Sequence, residues 1–501
     1  MRITPRLRPT RRAAALIALT AALAGCAAVG PDYHAEPLVH PQAWSATLAG
    51  AAPADPAALA QWWRAFDDPL LDELLQQALA HNQDLAIARL RLVQARAERD
   101  QVASRLGPDI GARADAAASR TSMALRPPGI GESRAYQLGL DSSWEIDLFG
   151  GRRRALERAD ADVQAVEEDG HALRISLLAE LAGDYAALRA TQARGAIARD
   201  NIATLAAAER LAQRAATHGL GTRAEASQAR AERESAEARV PELAGDEARL
   251  AHTIGVLAGG FPGDLKARLL AGGRPLPTPP ALPDGLPSDV VRNRPDIHAA
   301  ERRLAASTAG IGVATAAQFP TFVIPLGVGS AASLVHDLFS HASAVWSLGA
   351  GVQQSVYDGG RAAAGVRAAE AEAQASRLAY ARSVRRAFLD VEDALAGLNA
   401  ELARQQALAA AVHDSQDALD RATRLYRNGL SGYLGVLTAQ RATYQARDAL
   451  ALSQLARVRH AIGLYKALGA GWQPSPADAK PAVQPLASPA VSPSPLTRSP
   501  S

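Results

Sequence analysis

One joint constrains this chain more than any other stretch, and it occurs twice. Ser142-Ser143-Trp144-Glu145-Ile146-Asp147-Leu148-Phe149-Gly150-Gly151-Arg152 is the first copy, and Gln353-Gln354-Ser355-Val356-Tyr357-Asp358-Gly359-Gly360-Arg361 is the second. Each closes a run in which apolar and polar residues alternate. Each then passes through two glycines into a long Ala/Arg/Glu-rich run of helical character. A change from period 2 to period 3.6 across a Gly-Gly hinge marks a strand feeding directly into a helix. Two such joints imply an internal duplication.

The duplication extends along the chain. Asn82-Gln83-Asp84-Leu85 is echoed 212 residues later by Arg294-Pro295-Asp296-Ile297, Leu92 by Leu304, and Pro108 by Pro320. The turn His218-Gly219-Leu220-Gly221 is echoed 210 residues later by Asn428-Gly429-Leu430-Ser431. In the first half, Ile110, Ala112, Ala114 and Ala116 alternate with polar residues or glycine, and so do Tyr136, Leu138, Leu140, Trp144, Ile146 and Leu148. In the second half the same holds for Phe322, Ile324, Leu326 and Val328, and for Trp346, Leu348, Ala350, Val352 and Val356. Runs of about 9–11 residues with this alternation fit strands that face lipid on one side and a polar lumen on the other. Trp144 and Phe149 fall at one end, where an interfacial aromatic girdle is expected.

Each half therefore reads as helix, strand, strand, long helix, turn, helix. The runs from Arg152 to about Thr217 and from Arg361 to Tyr426 predict helices about 100 Å long. The first helix is predicted from Pro69 to Leu106, stopped by Pro108. Thr222 and Glu225 form a predicted capping box for the returning helix, which Pro241 interrupts. Four strands are too few to close a barrel, and lipid does not tolerate open sheet edges, so spanning strands demand oligomerisation. Two copies would supply 8 strands and three would supply 12.

The predicted organisation is a signal peptide over 1–25, an extended N-terminal segment over 26–66, a first repeat over 67–258 and a linker over 259–287. A second repeat over 288–473 and a disordered Pro/Ser-rich tail over 474–501 follow. The first 25 residues carry five arginines and no acid, followed by an apolar run and then Leu23-Ala24-Gly25-Cys26. This is the layout of a secretory signal. Without it the net charge falls from +3 to −2, so nothing points to nucleic acid. Cys26 is the only cysteine, which excludes an internal disulfide.

Leu23-Ala24-Gly25-Cys26 resembles the bacterial lipobox, which implies that Cys26 is lipidated and becomes the first mature residue. Acyl chains add about 0.8 kcal/mol of membrane attachment per buried CH₂. Ala27 behind the cysteine fits sorting to the outer membrane. Further stretches resemble the outer-membrane factors of tripartite efflux systems, the TolC and OprM type, NodT subgroup: Val29-Gly30-Pro31-Asp32-Tyr33, Trp62-Trp63 with Phe66, Asp68-Pro69-Leu70, and Trp144 to Arg152. So do Leu286-Pro287-Ser288-Asp289, Arg294 to Ile297 with Ala300-Glu301, Phe319-Pro320, Asp358 to Arg361, and Tyr465 to Trp472. The resemblance covers roughly residues 26–473.

It implies a mainly α chain with transmembrane β: a homotrimer with a 12-stranded outer-membrane barrel above a long periplasmic barrel of 12 helices. It implies a lipoprotein (palmitate-bearing) that serves as exit duct for small molecules or drugs, hence a multidrug-resistance role. Its partners would be a periplasmic adaptor, an inner-membrane pump and outer-membrane lipid. The resemblance also assigns residues. Tyr426, Arg427 and Arg441 would form the periplasmic gate. Gly219, Leu220, Gly429 and Leu430 would be the adaptor-docking tips. Gly150, Gly151, Gly359 and Gly360 are the strand–helix hinges. Where the family has an aspartate three residues before the second gate arginine, this chain has Thr438. An acid of the first hairpin such as Glu225 is the alternative partner for Arg427.

No catalytic, cofactor or metal site is expected. The glycine clusters lack a following Gly-Lys-Ser/Thr, and no His-Glu-x-x-His or nucleophile elbow is present. Two other functions fit the same elements: a duct for type I protein secretion, and a lipid-anchored periplasmic coiled-coil adaptor that does not span the membrane.

Overall fold

In the computed structural model, the described residues are 28–35, 41, 43–45, 52–53, 59–120, 122, 132–271, 274–279, 283–284 and 287–473. The signal segment, Cys26 and the C-terminal tail fall outside them. The elements run α1 (Pro69–His81), α2 (Gln83–Ser104), β1 (Asp109–Arg120), β2 (Glu132–Ile146), α3 (Gly151–Thr217), α4 (Arg223–Glu237) and α5 (Arg239–Leu257). The second half runs α6 (Pro295–Ala316), β3 (Thr321–Ala332), β4 (Ala344–Leu348), β5 (Gly351–Gln353), α7 (Arg361–Arg427) and α8 (Tyr433–Ala467).

The strands form one antiparallel sheet in the order β1-β2-β3-β4, with β5 also on β3. β4 and β5 continue one register along β3 and together make the fourth strand, broken at Gly349-Ala350. That strand ends at Gln353, so Val356, expected in the alternating run, lies beyond it and is 98% exposed.

The predicted first helix is two helices. Asn82 adopts an extended backbone, and its side chain accepts hydrogen bonds from the Asp84 and Leu85 amides. The chain thus stops α1 and caps α2 at one residue, a local competition of the kind that Asn side chains favour. The segment predicted as extended to residue 66 instead makes a 3₁₀ turn at Trp62–Phe66, with Trp62, Trp63 and Phe66 buried. Near Pro241 the helix divides just upstream, between α4 and α5, where the missing amide of Pro241 falls in the first turn of α5.

α3 and α7 are each 67 residues, about 100 Å at 1.5 Å per residue. Near the sheet, α2 lies on α3, and α6 lies between α3 and α7; farther out, α4 and α5 lie on α3, and α8 lies between α3 and α7. The result is a layer four helices wide. The seams carry ion pairs: Arg99–Asp160 at 2.8 Å between α2 and α3, and a two-pronged Arg194–Asp448 at 2.7 and 3.1 Å between α3 and α8.

Halfway along the helices two apolar clusters replace the charges. One gathers Trp62, Trp63, α1 and Leu177, Leu181, Tyr185 and Leu188 of α3; the other gathers Ile297, Leu464 and Ala387, Val391, Leu395 and Leu398 of α7. The two sets of four long-helix residues are spaced 210 apart, so the duplication holds in the packing as well as in the motifs.

Candidate functional site

The first part of the site is the sheet. Residues opposed in an antiparallel ladder share a face. Leu140 opposes Ala112 and Val328, and Val328 opposes Trp346; Asp141 opposes Gly111 and Gly327. Every pairing joins even to even and odd to odd, so one face carries all the even residues. That face presents Ile110, Leu138, Leu140, Trp144, Leu326, Val328, Trp346, Leu348 and Val352, each at least 40% exposed. The odd face presents Asp109, Arg113, Asp115, Gln137, Asp141, Glu145 and Gln353. A sheet with no buried residue, one apolar face and one charged face matches a lipid side and a water-filled side.

The apolar band runs from Tyr136 to Ile146 on β2. Ten steps of about 3.3 Å, tilted by about 40°, rise about 25 Å, the height of an outer-membrane hydrocarbon band. On the polar face Gly139 opposes Gly329, and a Cβ on Gly329 would stand 2.4 Å from the Leu138 carbonyl oxygen. Close approach of backbone at an inward-facing glycine bends a sheet toward closure. No helix among the described residues is long and apolar enough to cross a membrane.

The hinges come next. Gly150 and Gly360 take φ of 78° and 85°, the left-handed region, and start α3 and α7. Glycine brings no capping side chain, so an upstream aspartate serves. The Asp147 carboxylate accepts from the Arg153 amide at 2.9 Å, and that of Asp358 accepts from the Gly360 and Ala362 amides at 2.9 Å. Arg152 donates to Glu145 at 2.6 Å and to the Arg105 carbonyl, tying α3 to the end of β2 and the turn after α2. Gly359, also left-handed, and Gly151 complete the predicted hinge set.

The N-terminal strap reaches the same place. Val29 donates its amide to the Phe149 carbonyl at 3.0 Å, and Arg154 holds the Val29 carbonyl at 3.1 Å and Asp32 at 2.6 Å. Ala28 lies against Gly150, where an added Cβ would meet it at 2.4 Å. The motif residues farther along fasten the N-terminal segment to the second half and brace the second half itself. Trp62 stacks on Tyr465 at 5.1 Å, Arg294 pairs with Asp390 at 2.9 Å, and Trp472 donates to the Asn293 carbonyl at 2.7 Å.

At the far end, both turns close alike. The Leu220 amide donates to the Ala215 carbonyl at 2.8 Å and that of Leu430 to Leu425 at 2.9 Å, the wide bond of a Schellman cap. Gly219 and Gly429 supply the left-handed residues of these caps. Leu220 is 85% exposed and Leu430 72%. The predicted capping box forms: Thr222 Oγ1 accepts from the Glu225 amide, and the Glu225 carboxylate accepts from the Thr222 amide.

That box engages Glu225 at its own turn. Arg427 makes no ion pair or hydrogen bond among the described residues, and Glu225 is not its partner. The pairing between hairpins falls on Arg441, which holds Glu232 of α4 with two guanidinium nitrogens. Their hydrogen bond raises the Arg441 pKa further above its ordinary range. Beside it Tyr426 and Tyr433 pack at 5.7 Å between centroids, and both hydroxyls are buried without a partner among the described residues. Burial pushes the Tyr433 hydroxyl up to about 12. Glu232 and Tyr433 were not singled out from the sequence. Glu232 lies 209 residues from Arg441 in a helix rich in acids, and no local pattern marks it. No group of His, Cys, Asp and Glu suited to a metal is present among the described residues.

Comparison with known proteins gives one consistent result. Residues 74–260 and 286–470 match the family described as outer membrane efflux protein. The chain is 32% identical over 467 residues to the pyoverdine export outer membrane protein OpmQ of Pseudomonas putida, covering 91% of this chain and 97% of that one. It is 30% identical over 456 residues to the cation efflux system protein CusC of Escherichia coli, covering 90% and 97%. Among solved structures, the outer-membrane channel OprN superposes with a TM-score of 0.81 at 36% identity, covering 89% of this chain and all of that one. The open state of the Neisseria gonorrhoeae MtrE outer membrane channel gives 0.78 at 28% identity, covering 89% and 99%.

Proposed function

The chain belongs to the outer membrane efflux protein family, and from that premise we propose how this outer-membrane efflux channel works in its assembly. Three copies close the four-stranded sheets into a 12-stranded barrel and the helical layers into one periplasmic tunnel. Cargo enters at the turn tips, where a periplasmic adaptor seats on Gly219-Leu220 and Gly429-Leu430 and links the channel to an inner-membrane pump. The energy for transport comes from that pump; the channel lowers no chemical barrier. Tyr426, Arg427 and Arg441 hold the tunnel closed at the tip, with Glu232 as the acid that Arg441 grips.

The observation that carries this reading is the even–odd sheet register joined through glycine hinges to two 67-residue helices. A periplasmic coiled-coil adaptor has no use for a sheet with one apolar face. Lipidation of Cys26 fits the same frame. Ala28, two residues after Cys26 in the sequence, packs on Gly150 at the foot of the sheet. The cargoes for which these relatives are named (pyoverdine, antibiotics, cations) are small, which favours small-molecule efflux over protein secretion.

The test is accumulation of a fluorescent efflux dye in cells lacking the protein, with and without a plasmid copy. Higher accumulation, restored by the copy, is the expected result. Unchanged dye together with loss of specific secreted proteins would move the duct to protein secretion.

A further inference from the structure

Within the apolar band the even face of the sheet carries no charged residue, and the charges Asp109, Arg113, Asp115, Asp141 and Glu145 are all on the odd face. Beyond Tyr136 the two faces exchange character. The odd positions there are Ala117, Ser119, Ser133 and Ala135, uncharged, with the two serine hydroxyls 2.7 Å apart. The even positions are Ala118 opposite Arg134 and Arg120 opposite Glu132. Charge has moved from the water-filled side to the side that meets the membrane.

The helices leave from the opposite end of the sheet, so this rim faces away from the periplasm. Each step of two residues rises about 5 Å at a tilt of about 40°, which puts Arg134 about 5 Å and Arg120 about 10 Å past the edge of the apolar band. The lipid headgroup layer is about 5–8 Å thick on each side, so Arg134 stands within it and Arg120 just above it. Arg120 shares an open ion pair with Glu132 at 3.7 Å, both side chains more than half exposed, a contact of little strength. Arg134 has no ion pair or hydrogen bond among the described residues. The connecting residues 121–131 add Arg126 and no acid. The corresponding positions of the second half are Ala332 and Ala344, so each copy carries one such patch.

We propose that Arg120 and Arg134 form a docking surface for the phosphates of an outer-leaflet glycolipid, whose acyl chains run down the face of Leu138, Leu140 and Val328. Guanidinium groups bind phosphate through paired, charge-assisted hydrogen bonds, and the apolar face directly below continues the contact. This proposal rests on the sheet spanning the outer membrane.

The experiment uses the full-length channel in mild detergent, titrated with bis-phosphorylated lipid A and with its dephosphorylated form. Wild type is expected to bind the phosphorylated lipid roughly tenfold more tightly, the effect of one or two charge-assisted hydrogen bonds. Arg120→Gln with Arg134→Gln removes the preference, and Arg120→Lys with Arg134→Lys keeps most of it. Equal binding of both lipids by wild type overturns the proposal, whether or not the glutamine variant assembles. Full competition by millimolar inorganic phosphate also overturns it, because the site would then take a free anion. Channel formation in planar bilayers is read separately. Channels from both proteins with no phosphate preference would refute the docking surface and leave the membrane-spanning sheet standing.

Discussion

At the scale of single residues, the tip is where sequence and structure diverge most usefully. Thr438 stands where the resemblance implies an aspartate, which leaves the two arginines proposed for the gate without that acid. The fold supplies Glu232 to Arg441 within one chain and gives Arg427 no partner among the described residues. The two arginines are therefore predicted to act differently. Arg441→Ala raises single-channel conductance, and Glu232→Gln reproduces the effect because it breaks the same contact. Arg427→Ala is expected to raise conductance independently: Glu232→Gln adds its full gain to that variant but adds nothing to Arg441→Ala, since Glu232 pairs with Arg441 and not with Arg427. Unchanged conductance in planar bilayers would remove the arginine concerned from the gate. Tyr433 is a control for packing. Its hydroxyl is buried and unpartnered, a state that costs about 1–3 kcal/mol, so Tyr433→Phe is neutral or stabilising while the ring contact to Tyr426 persists. A drop in thermal stability would reveal a hydrogen bond made across copies.

At the scale of elements, the hinges and the strands carry the argument. Gly150 and Gly360 share a left-handed backbone, so alanine strains both by about 1 kcal/mol or more. Only Gly150 also has a neighbour in the way: its added methyl would lie 2.4 Å from Ala28, whereas nothing lies within 4 Å at Gly360. Gly150→Ala is expected to lower the yield of folded membrane protein well below that of Gly360→Ala; equal yields would show that the strap does not press on the hinge. In β2, Leu140→Arg places a charge in mid-band and costs about 2–4 kcal/mol, while Gln137→Arg on the odd face, opposite Asp115, is tolerated. Membrane-assembled Leu140→Arg at wild-type levels would refute a lipid-facing even side. The alternation of strands, the capping box and the hinges were legible in the sequence because each is a local pattern of two to ten residues. The break at Asn82 was not, since a helix-like apolar spacing continues through it and only the side-chain cap decides the geometry. The turn at Trp62–Phe66 was hidden for a related reason: its burial depends on α3 and α8, far away in the chain. The Arg441–Glu232 contact likewise has no signature short of the folded hairpins.

At the scale of the whole molecule, the duplication leaves a seam between halves, and that seam titrates. α6 of the second half lies along α3 of the first, bringing His298 and Arg303 against Glu168 and Asp169. His171 joins from α3 at 3.3 Å from Glu168, its ring stacked on Trp472. Burial opposes ionisation of Glu168, but the imidazoles of His171 and His298 outweigh it and hold the carboxyl down to about 2. The Glu168 carboxylate in turn raises His298, against burial. The two shifts bound a window. A depressed carboxyl contributes stability above its unfolded value of about 4.3, lost as pH falls toward 2; a raised imidazole contributes stability below about 6.5, lost as pH rises through its folded value. Both contributions are complete between about pH 4.5 and 6.5, so the seam is tightest in mildly acidic solution. Melting of the helical signal by circular dichroism is therefore expected to fall on the alkaline side of that window, and His298→Gln is expected to flatten the alkaline limb and to shrink the acid limb only in part, because His171 still faces Glu168. A variant whose alkaline limb matches wild type would show that the two halves are held by their apolar clusters and their arginine pairs, with no share from the histidine seam.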